Sequence, residues 1–418
     1  MKIHLDLDSF FISAERIKKP FLRGIPAAVG GRGDPFIFRK RKECKIDSLK
    51  SRGAFVPSIF YDSNGDFKEY FAEKDKIRGI IITASYEARA LGIKTGMSVS
   101  EALRIAPSLV VLPPNHLYYH SLSEDLREFL CRKIPKIEQF SIDEFFGDLE
   151  GWIKKSELPL FLQDLQKDIL NRFSLPVSIG AANSKWTAKL ATSYAKPAGI
   201  KIVYPEETAR FIKDIPIESF PGIGKGFAKR LKRLKVEKLG EIEGVKSTLY
   251  SWKKPGITLY KRVTGRDGEP VEENRRKKSI GISRTMDPIA NRDEIKRRVI
   301  ILSRYLFHAV KRLDMEPRGF GIKIVYEWGH RSKAHTMENR PFSEHRLKRI
   351  ALELFAKSDI YPASKIVRLG LRCYDFRSKT VYDLFHLEKD RKYKNLSAFA
   401  TEARKKYGID ILRWGCEL

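Results

Sequence analysis

Between residues 279 and 376 the spacing of apolar residues alternates between two periods in a fixed order, and that order leaves few folds open. KSIGISRT, FGIKIVYEW, KAHTMENRPF and KIVRLGLRCYDF read as strands, and DEIKRRVIILSRYLFHAVKRL and EHRLKRIALELFAK as helices, which gives βαββαβ. In the first helix Ile295, Val299, Leu302, Leu306, Ala309 and Leu313 recur at helical spacing, predicting one stripe buried against a four-stranded sheet. The other sheet face would be open. Arg284, Lys323, Lys333, Arg368 and Arg372 are candidates there for phosphate contact, although solvated strand residues have the same appearance.

A second pattern concerns acids. In MKIHLDLDSFF, Ile3, Leu5 and Leu7 alternate with His4, Asp6 and Asp8, as in a strand with one buried face, so Asp6 points away from that core. Far downstream, FSIDEFF interleaves Phe140 and Ile142 with Ser141 and Asp143 and continues to Glu144. A strand-borne Asp and an adjacent Asp-Glu pair can together hold two Mg2+ ions, the chemistry of nucleotidyl transfer. A regular strand sends Asp143 and Glu144 to opposite faces, so both serve one site only if a turn or the cations bring their carboxylates together.

The chain carries 81 Lys and Arg against 52 Asp and Glu over 418 residues, a formal charge of +29, which implies a large polyanionic partner. With 42% hydrophobic residues it can bury several cores, so it is not a disordered basic tail. Cys44, Cys131, Cys373 and Cys416 are scattered without zinc spacing and read as free thiols. No stretch is long enough to span a bilayer, and the expectation is a cytoplasmic protein that does not engage membranes. If six to ten phosphates of such a partner are engaged, affinity should fall by roughly three to five powers of ten between low and moderate salt.

TARFIKDIP reads as a helix, PGIGKG as a glycine turn and GFAKRLKRLKV as a basic helix, together a helix-hairpin-helix. Gly222 and Gly224 would expose backbone N–H groups to DNA phosphate, with Lys225, Lys229 and Arg230 beside them.

LDLDSFF at 5–11, PAAVGG at 26–31, ASYEARALGI at 84–93, SIDEFFGDL at 141–149, AKPAGI at 195–200, FPGIGK at 220–225 and KSIGISRT at 278–285 occur in the order found in Y-family DNA polymerases. The chain resembles the DinB-type translesion polymerases of the DNA polymerase IV kind, from its first residue to about Phe376. That resemblance implies an α+β multidomain, right-hand polymerase. The palm, with a mixed α/β sheet, would span 1–10 and 114–202, and the fingers 11–113 with an extra segment near 35–78. The helical helix-hairpin-helix thumb would span 203–265, a linker 266–278, the βαββαβ little finger 279–376 and a C-terminal tail 377–418.

By the same resemblance Asp6, Asp143 and Glu144 are the metal-binding carboxylates and the carbonyl of Leu7 completes one site. Two Mg2+ ions are implied, with Mn2+ able to substitute. Phe11 aligns with the steric gate that excludes a ribose 2′-hydroxyl, and Thr83, Tyr86, Arg89 and Lys196 with residues that hold the triphosphate. Tyr86 and Arg89, spaced i,i+3, would share a helical face. Asp8 and Asp148 are expected to position strands rather than metal. The partners implied are primer-template DNA and dNTPs, for a monomeric enzyme without a general-base side chain or a proofreading exonuclease.

Three features depart from that pattern. The segment FIFRKRKECKIDSLKSRGAFVPSIFYDSNGDFKEYFAEKDKIR stands where relatives have a brief turn, and it reads as an extra arm on the fingers. Ile82 replaces a small residue of the roof over the nascent base pair, whereas Gly31 and Gly96 remain small. In VYDLF, Leu384 and Phe385 suit a sliding-clamp motif that lacks its leading Gln. A nucleotidyl cyclase, with a similar carboxylate pair, and a DNA-binding structural protein with a lapsed site are the alternative readings.

Overall fold

The computed structural model describes residues 1–32, 35–38, 67–73, 76–274, 277–377, 382 and 384–417. Among the described residues two compact units separate. One holds 1–30 and 80–274, the other 31–32, 35–38, 67–73, 76–79 and 277–417.

The first unit is built on a five-stranded sheet in the order β10-β9-β1-β8-β7. Its central strand, β1 (Lys2–Leu7), runs antiparallel to both β8 (Glu144–Asp148) and β9 (Val177–Ala182). β7 (Lys136–Gln139) lies antiparallel to β8, and β10 (Ile200–Ile202) parallel to β9. The strand alternation predicted for residues 3–7 is present: Ile3, Leu5 and Leu7 enter a core with α1 (Phe10–Lys18), α5 (His116–Lys133) and α6 (Leu158–Phe173), through Phe10, Leu126, Leu130, Leu162 and Leu165.

The other face of this sheet is covered by α7 (Lys185–Ala195), which packs on β9 and β1. Its approach depends on Gly180, where an added Cβ would lie 2.1 Å from the Ala188 carbonyl oxygen and 2.4 Å from the Thr192 nitrogen. Lys185 forms a buried ion pair with Glu138 of β7 and fixes the start of the helix. Asp6 therefore points away from one core but toward a second helical layer. Alternation in the sequence distinguishes two faces, and only the packing tells whether the second is wet.

A three-stranded sheet, β5 (Ile80–Ala84), β2 (Ala27–Gly31) and β6 (Val110–Leu112), carries two short helices, α3 (Tyr86–Ala90) and α4 (Val99–Ile105). The side chains of Ser85 and Ser98 accept amide hydrogens at their N-termini, which explains where both helices begin. Next come α8 (Thr208–Ile212), α9 (Lys225–Arg233), α10 (Lys246–Ser251) and α11 (Lys253–Val263), joined through Ile212, Phe220, Leu231, Leu249, Leu259 and Val263. The first part of the stretch read as a linker is anchored: Glu269 accepts hydrogen bonds from Trp186 (3.0 Å) and Arg262 (2.5 Å), and the Glu272 N–H donates to Glu138.

The second unit follows the βαββαβ order: β11 (Ser279–Ile289), α12 (Arg292–Lys311), β12 (Glu316–Tyr326), β13 (Arg331–Met337), α13 (Glu344–Ser358) and β14 (Ile366–Arg377). The strands stand as β11-β14-β12-β13, all antiparallel. Of the six apolar residues predicted as a stripe, Ile295, Val299, Leu302 and Leu306 of α12 are buried in the core beneath the sheet, and Ala309 and, just past the helix end, Leu313 pack against it half-buried.

Residues 387–417, read from sequence as a tail, pack onto this unit. In α14 (Leu387–Tyr407) Arg404 pairs with Glu344 in a buried contact, and the Trp414 indole N–H donates to Glu344 at 2.8 Å. Arg304, itself buried, bonds both Glu417 and Asp410.

Between β2 and β5 the chain makes α2 (Phe67–Phe71) and the two-residue strands β3 (Ala72–Glu73) and β4 (Lys76–Ile77). The described parts of this extra segment group with the second unit, whereas the sequence suggested an arm on the fingers. Ile37 and Phe38 are buried in the same core as α12, and the Arg298 guanidinium lies 4.6 Å from the Phe38 ring centroid. Ion pairing of Arg78 with Asp287 at 2.8 Å adds a second tie. Residues 39–66, with Cys44, lie outside the described residues.

Candidate active site and nucleic-acid surface

Asp6 stands directly opposite Glu144 in the β1–β8 register, and the Leu7 N–H donates to the Asp143 carbonyl at 3.0 Å. Asp143 is not in the strand. It occupies a bend before β8, and its carboxylate accepts from Ser141. The neighbouring acids thus escape the strict alternation of a strand, the condition under which both can serve one place.

Each strand-borne acid has its own cation. Lys196 Nζ lies 2.6 Å from Asp6 Oδ1, and Lys189 donates to Glu144. Lys189 was not singled out by the sequence reading; it lies on α7, and Lys196 is the extended residue that ends that helix. Burial pushes the Asp6 carboxyl up to about 6; Lys196 opposes the rise and the charge of Glu144 adds to it. Burial likewise raises Asp143, against the Ser141 hydrogen bond and with a contribution from Asp6. His4, two residues before Asp6 on the same face, is held neutral by burial and by Lys189, Lys196 and Lys185, and its Nδ1 lies 2.9 Å from the Thr192 hydroxyl.

The donor set suits a hard divalent cation: carboxylate oxygens whose charges repel, with lysine ammonium groups standing where positive charge is wanted. Among the described residues, no group of three such side chains is already gathered around a metal position. Asp8 is engaged otherwise, as expected of a positioning group. It accepts hydrogen bonds from the Ser178 hydroxyl, the Tyr86 hydroxyl and the Ala198 N–H, each at 2.8 Å. Asp148 accepts from the Glu150 N–H at the far end of β8.

Around this centre, Thr83 is on β5, and Tyr86 and Arg89 share one face of α3 with the guanidinium 4.9 Å from the ring centroid. Arg89 Nε donates to the Ala84 carbonyl at 3.1 Å. The Tyr86 hydroxyl is taken by Asp8, and burial raises its pKa, so it stays a donor to that carboxylate. Phe11 lies half-buried in the first turn of α1, its ring stacked on Tyr119. Ile82 is half-buried on β5, Gly31 ends β2, and Gly96 has φ +89° with open space where a Cβ would stand.

The basic groups form two further surfaces. Gly222 has φ +104°, Gly224 precedes α9, and Lys225 and Lys229 are exposed in its first turns, while Arg230 rests 3.7 Å from the Trp252 ring centroid. In the second unit Lys323, Lys333, Arg368 and Arg372 alternate with core residues and lie on the open sheet face, with Lys323 opposite Lys333. Arg372 has Gly281 and Gly321 opposite it on the two neighbouring strands, and a Cβ at Gly321 would come within 2.9 Å of its Nε. Tyr374 covers Gly319 in the same way, so both side chains lie flat on the sheet. Arg284 is a correction: it alternates with Ser283 and shares the side of Ile280 and Ile282, because strand periodicity allows only odd-numbered residues of this stretch onto the open face. Leu384 and Phe385, 85% and 95% exposed, stand just before α14. No described helix is long and apolar enough to cross a membrane.

Comparison with known proteins agrees with this architecture. The impB/mucB/samB family model matches residues 5–193, and the model of that family's C-terminal domain matches 277–384. DNA polymerase IV 1 of Halalkalibacterium halodurans is 28% identical over 426 aligned positions, covering 99% of this chain and 92% of its own length. DNA polymerase IV of Yersinia enterocolitica is 30% identical, over 68% of this chain and 70% of its own. Among solved structures, a Y-family DNA polymerase chimera of Dbh and Dpo4 superposes with a TM-score of 0.71 at 22% identity, covering 91% of this chain and 99% of the chimera. DinB from Sulfolobus solfataricus gives 0.54 at 23% identity over 91% and 99% of the two chains. The family models together span most of the sequence, with Asp6, Asp143 and Glu144 inside the first match and the basic sheet inside the second: the chain belongs to the impB/mucB/samB family and is a Y-family DNA polymerase of the DinB type.

Proposed function

We infer that this chain is a template-directed DNA polymerase that adds deoxynucleotides to a primer 3′-hydroxyl, with the low fidelity and the tolerance of damaged template bases of its family. The observation that carries the reading is the placement of Asp6 opposite Glu144, with Asp143 in the adjoining bend and a lysine against each strand-borne carboxylate.

A divalent cation is required by enzymes of this kind. Asp6, Asp143, Glu144 and the Leu7 carbonyl would hold two Mg2+ ions, with Mn2+ able to replace them, and such ions lower the pKa of the primer hydroxyl and neutralise charge on the triphosphate and pyrophosphate. The protein's own groups do the rest by position. Lys196, Arg89 and Thr83 donate to triphosphate oxygens, and Tyr86, tied to Asp8, backs the Arg89 guanidinium. Phe11 meets the sugar and excludes a 2′-hydroxyl. No side chain is needed as a general base, because catalysis rests on positioning and on charge.

The α9 turn, through Gly222, Gly224 and Lys225, and the open face carrying Lys323, Lys333, Arg368 and Arg372 would hold primer-template DNA through its phosphates, without sequence preference. The enzyme would act as a monomer in the cytoplasm. The exposure of Leu384 and Phe385 supports a sliding clamp as a further partner. Ile82 would narrow the roof and restrict the lesions accepted.

Primer extension tests the reading: with Mg2+ and dNTPs, the primer should lengthen on undamaged templates and past an abasic site. Consumption of nucleoside triphosphate without primer-template, and no extension with it, would mark a cyclase instead.

A further inference from the structure

The ring of Phe11 has a built support behind it. It lies 14° from the plane of Tyr119 with centroids 4.5 Å apart, and His116 meets it edge-on at 6.0 Å. Phe10, the preceding residue, touches the same tyrosine at 6.1 Å in an edge geometry. Tyr119 is 0% exposed although it carries a hydroxyl, and that hydroxyl donates to Glu15 Oε1 at 2.8 Å. Glu15 is buried as well, and its other oxygen pairs with Lys19 at 3.1 Å. Burial and the Glu15 charge raise the Tyr119 pKa, so the phenol remains the donor.

Glu15 follows Phe11 by one turn of α1. The helix that presents the Phe11 ring therefore also holds, through Glu15, the hydroxyl of the ring behind it. A phenylalanine on a helix's first turn could otherwise rotate away from a crowding group, since its χ angles have alternative wells.

We propose that Tyr119 is a positioning residue for sugar selection: it braces Phe11 so that the ring cannot retreat when a nucleotide bearing a 2′-hydroxyl enters. The inference rests on the reading of Phe11 as the wall that meets the sugar. Tyr119 acts only through Phe11, with its hydroxyl serving to orient the ring.

The test is the ratio of kcat/KM for a dNTP to that for the matching rNTP, in wild type, Phe11→Ala, Tyr119→Ala, Tyr119→Phe and the double variant Phe11→Ala/Tyr119→Ala. Phe11→Ala should abolish most of the discrimination. Tyr119→Ala should lower the ratio about tenfold, the scale of one lost aromatic stack, mainly through better use of rNTP. Tyr119→Phe should keep most of the ratio, and adding Tyr119→Ala to Phe11→Ala should change it no further. If Phe11→Ala lowers the ratio while Tyr119→Ala leaves it at the wild-type value, or lowers it equally in both backgrounds, the brace is overturned and the gate stands. If Phe11→Ala itself leaves the ratio unchanged, the gate reading falls and the brace with it. Tyr119→Leu, which keeps apolar volume, gives the same reading should the alanine variant not fold.

Discussion

Asp6 and Glu144 face each other across β1 and β8, and each is held by a different lysine of one short stretch, Lys196 and Lys189. Two half-buried acids with two stand-in cations form a site adjusted to positive charge before any substrate arrives. In the metal-free protein this has a measurable cost.

Burial raises Asp6 to about 6, above the value of about 3.9 for an unfolded Asp. A raised carboxyl contributes stability that is fully present below about pH 4 and is lost as pH rises through about 6. Asp6→Asn is therefore expected to stabilise the chelator-treated protein at pH 7.5 by on the order of 1 kcal/mol and to have little effect at pH 4. Urea denaturation at the two pH values checks this, and an equal effect at both would contradict it.

Asp8 should behave differently, because three donors converge on it. Asp8→Ala leaves them without their acceptor and should cost about 2–4 kcal/mol, whereas Tyr86→Phe removes one bond and should cost about 1 kcal/mol. Denaturant midpoints measure both, and equal losses would argue against a shared acceptor.

The extra segment between β2 and β5 should contribute to the second unit. Phe38→Ala is expected to destabilise that unit by about 2–3 kcal/mol, below the usual cost for a large aromatic at the centre of a core, since Phe38 lies at its edge. Amide hydrogen exchange along α12 reports it: faster exchange is expected, and unchanged protection would separate the segment from the core.

On the open sheet, Lys323→Ala and Arg372→Ala should each weaken DNA binding to a similar degree for all sequences and reduce the salt slope by about one. Arg284→Ala, on the other side of the strand, should leave the slope unchanged. Binding titrations across a salt series distinguish the two faces.

The parts of this molecule governed by local periodicity were legible in its sequence. The α12 stripe, the βαββαβ order and the alternation around Asp6 follow from side-chain direction alone. What escaped was set by packing between distant segments. No local pattern shows that Gly180 admits α7 onto the sheet, that Phe38 leaves its neighbours to join α12, or that residues 387–417 return to pair Arg404 with Glu344. Lys189 lies within α7, whereas Lys196 is the extended residue that follows the helix before Pro197, so no helical spacing in the sequence links the two. The placement of Arg284 was readable, from its even-numbered match to Ile280 and Ile282.

Asp143→Asn tests the central claim most directly, because it removes one charge from the bend beside β8 while nearly preserving shape. Primer-template affinity should stay within about threefold of wild type, and single-nucleotide extension should fall by at least about a thousandfold. Extension at the wild-type rate with intact DNA binding would contradict the account, since the chemistry would then lie elsewhere in the chain.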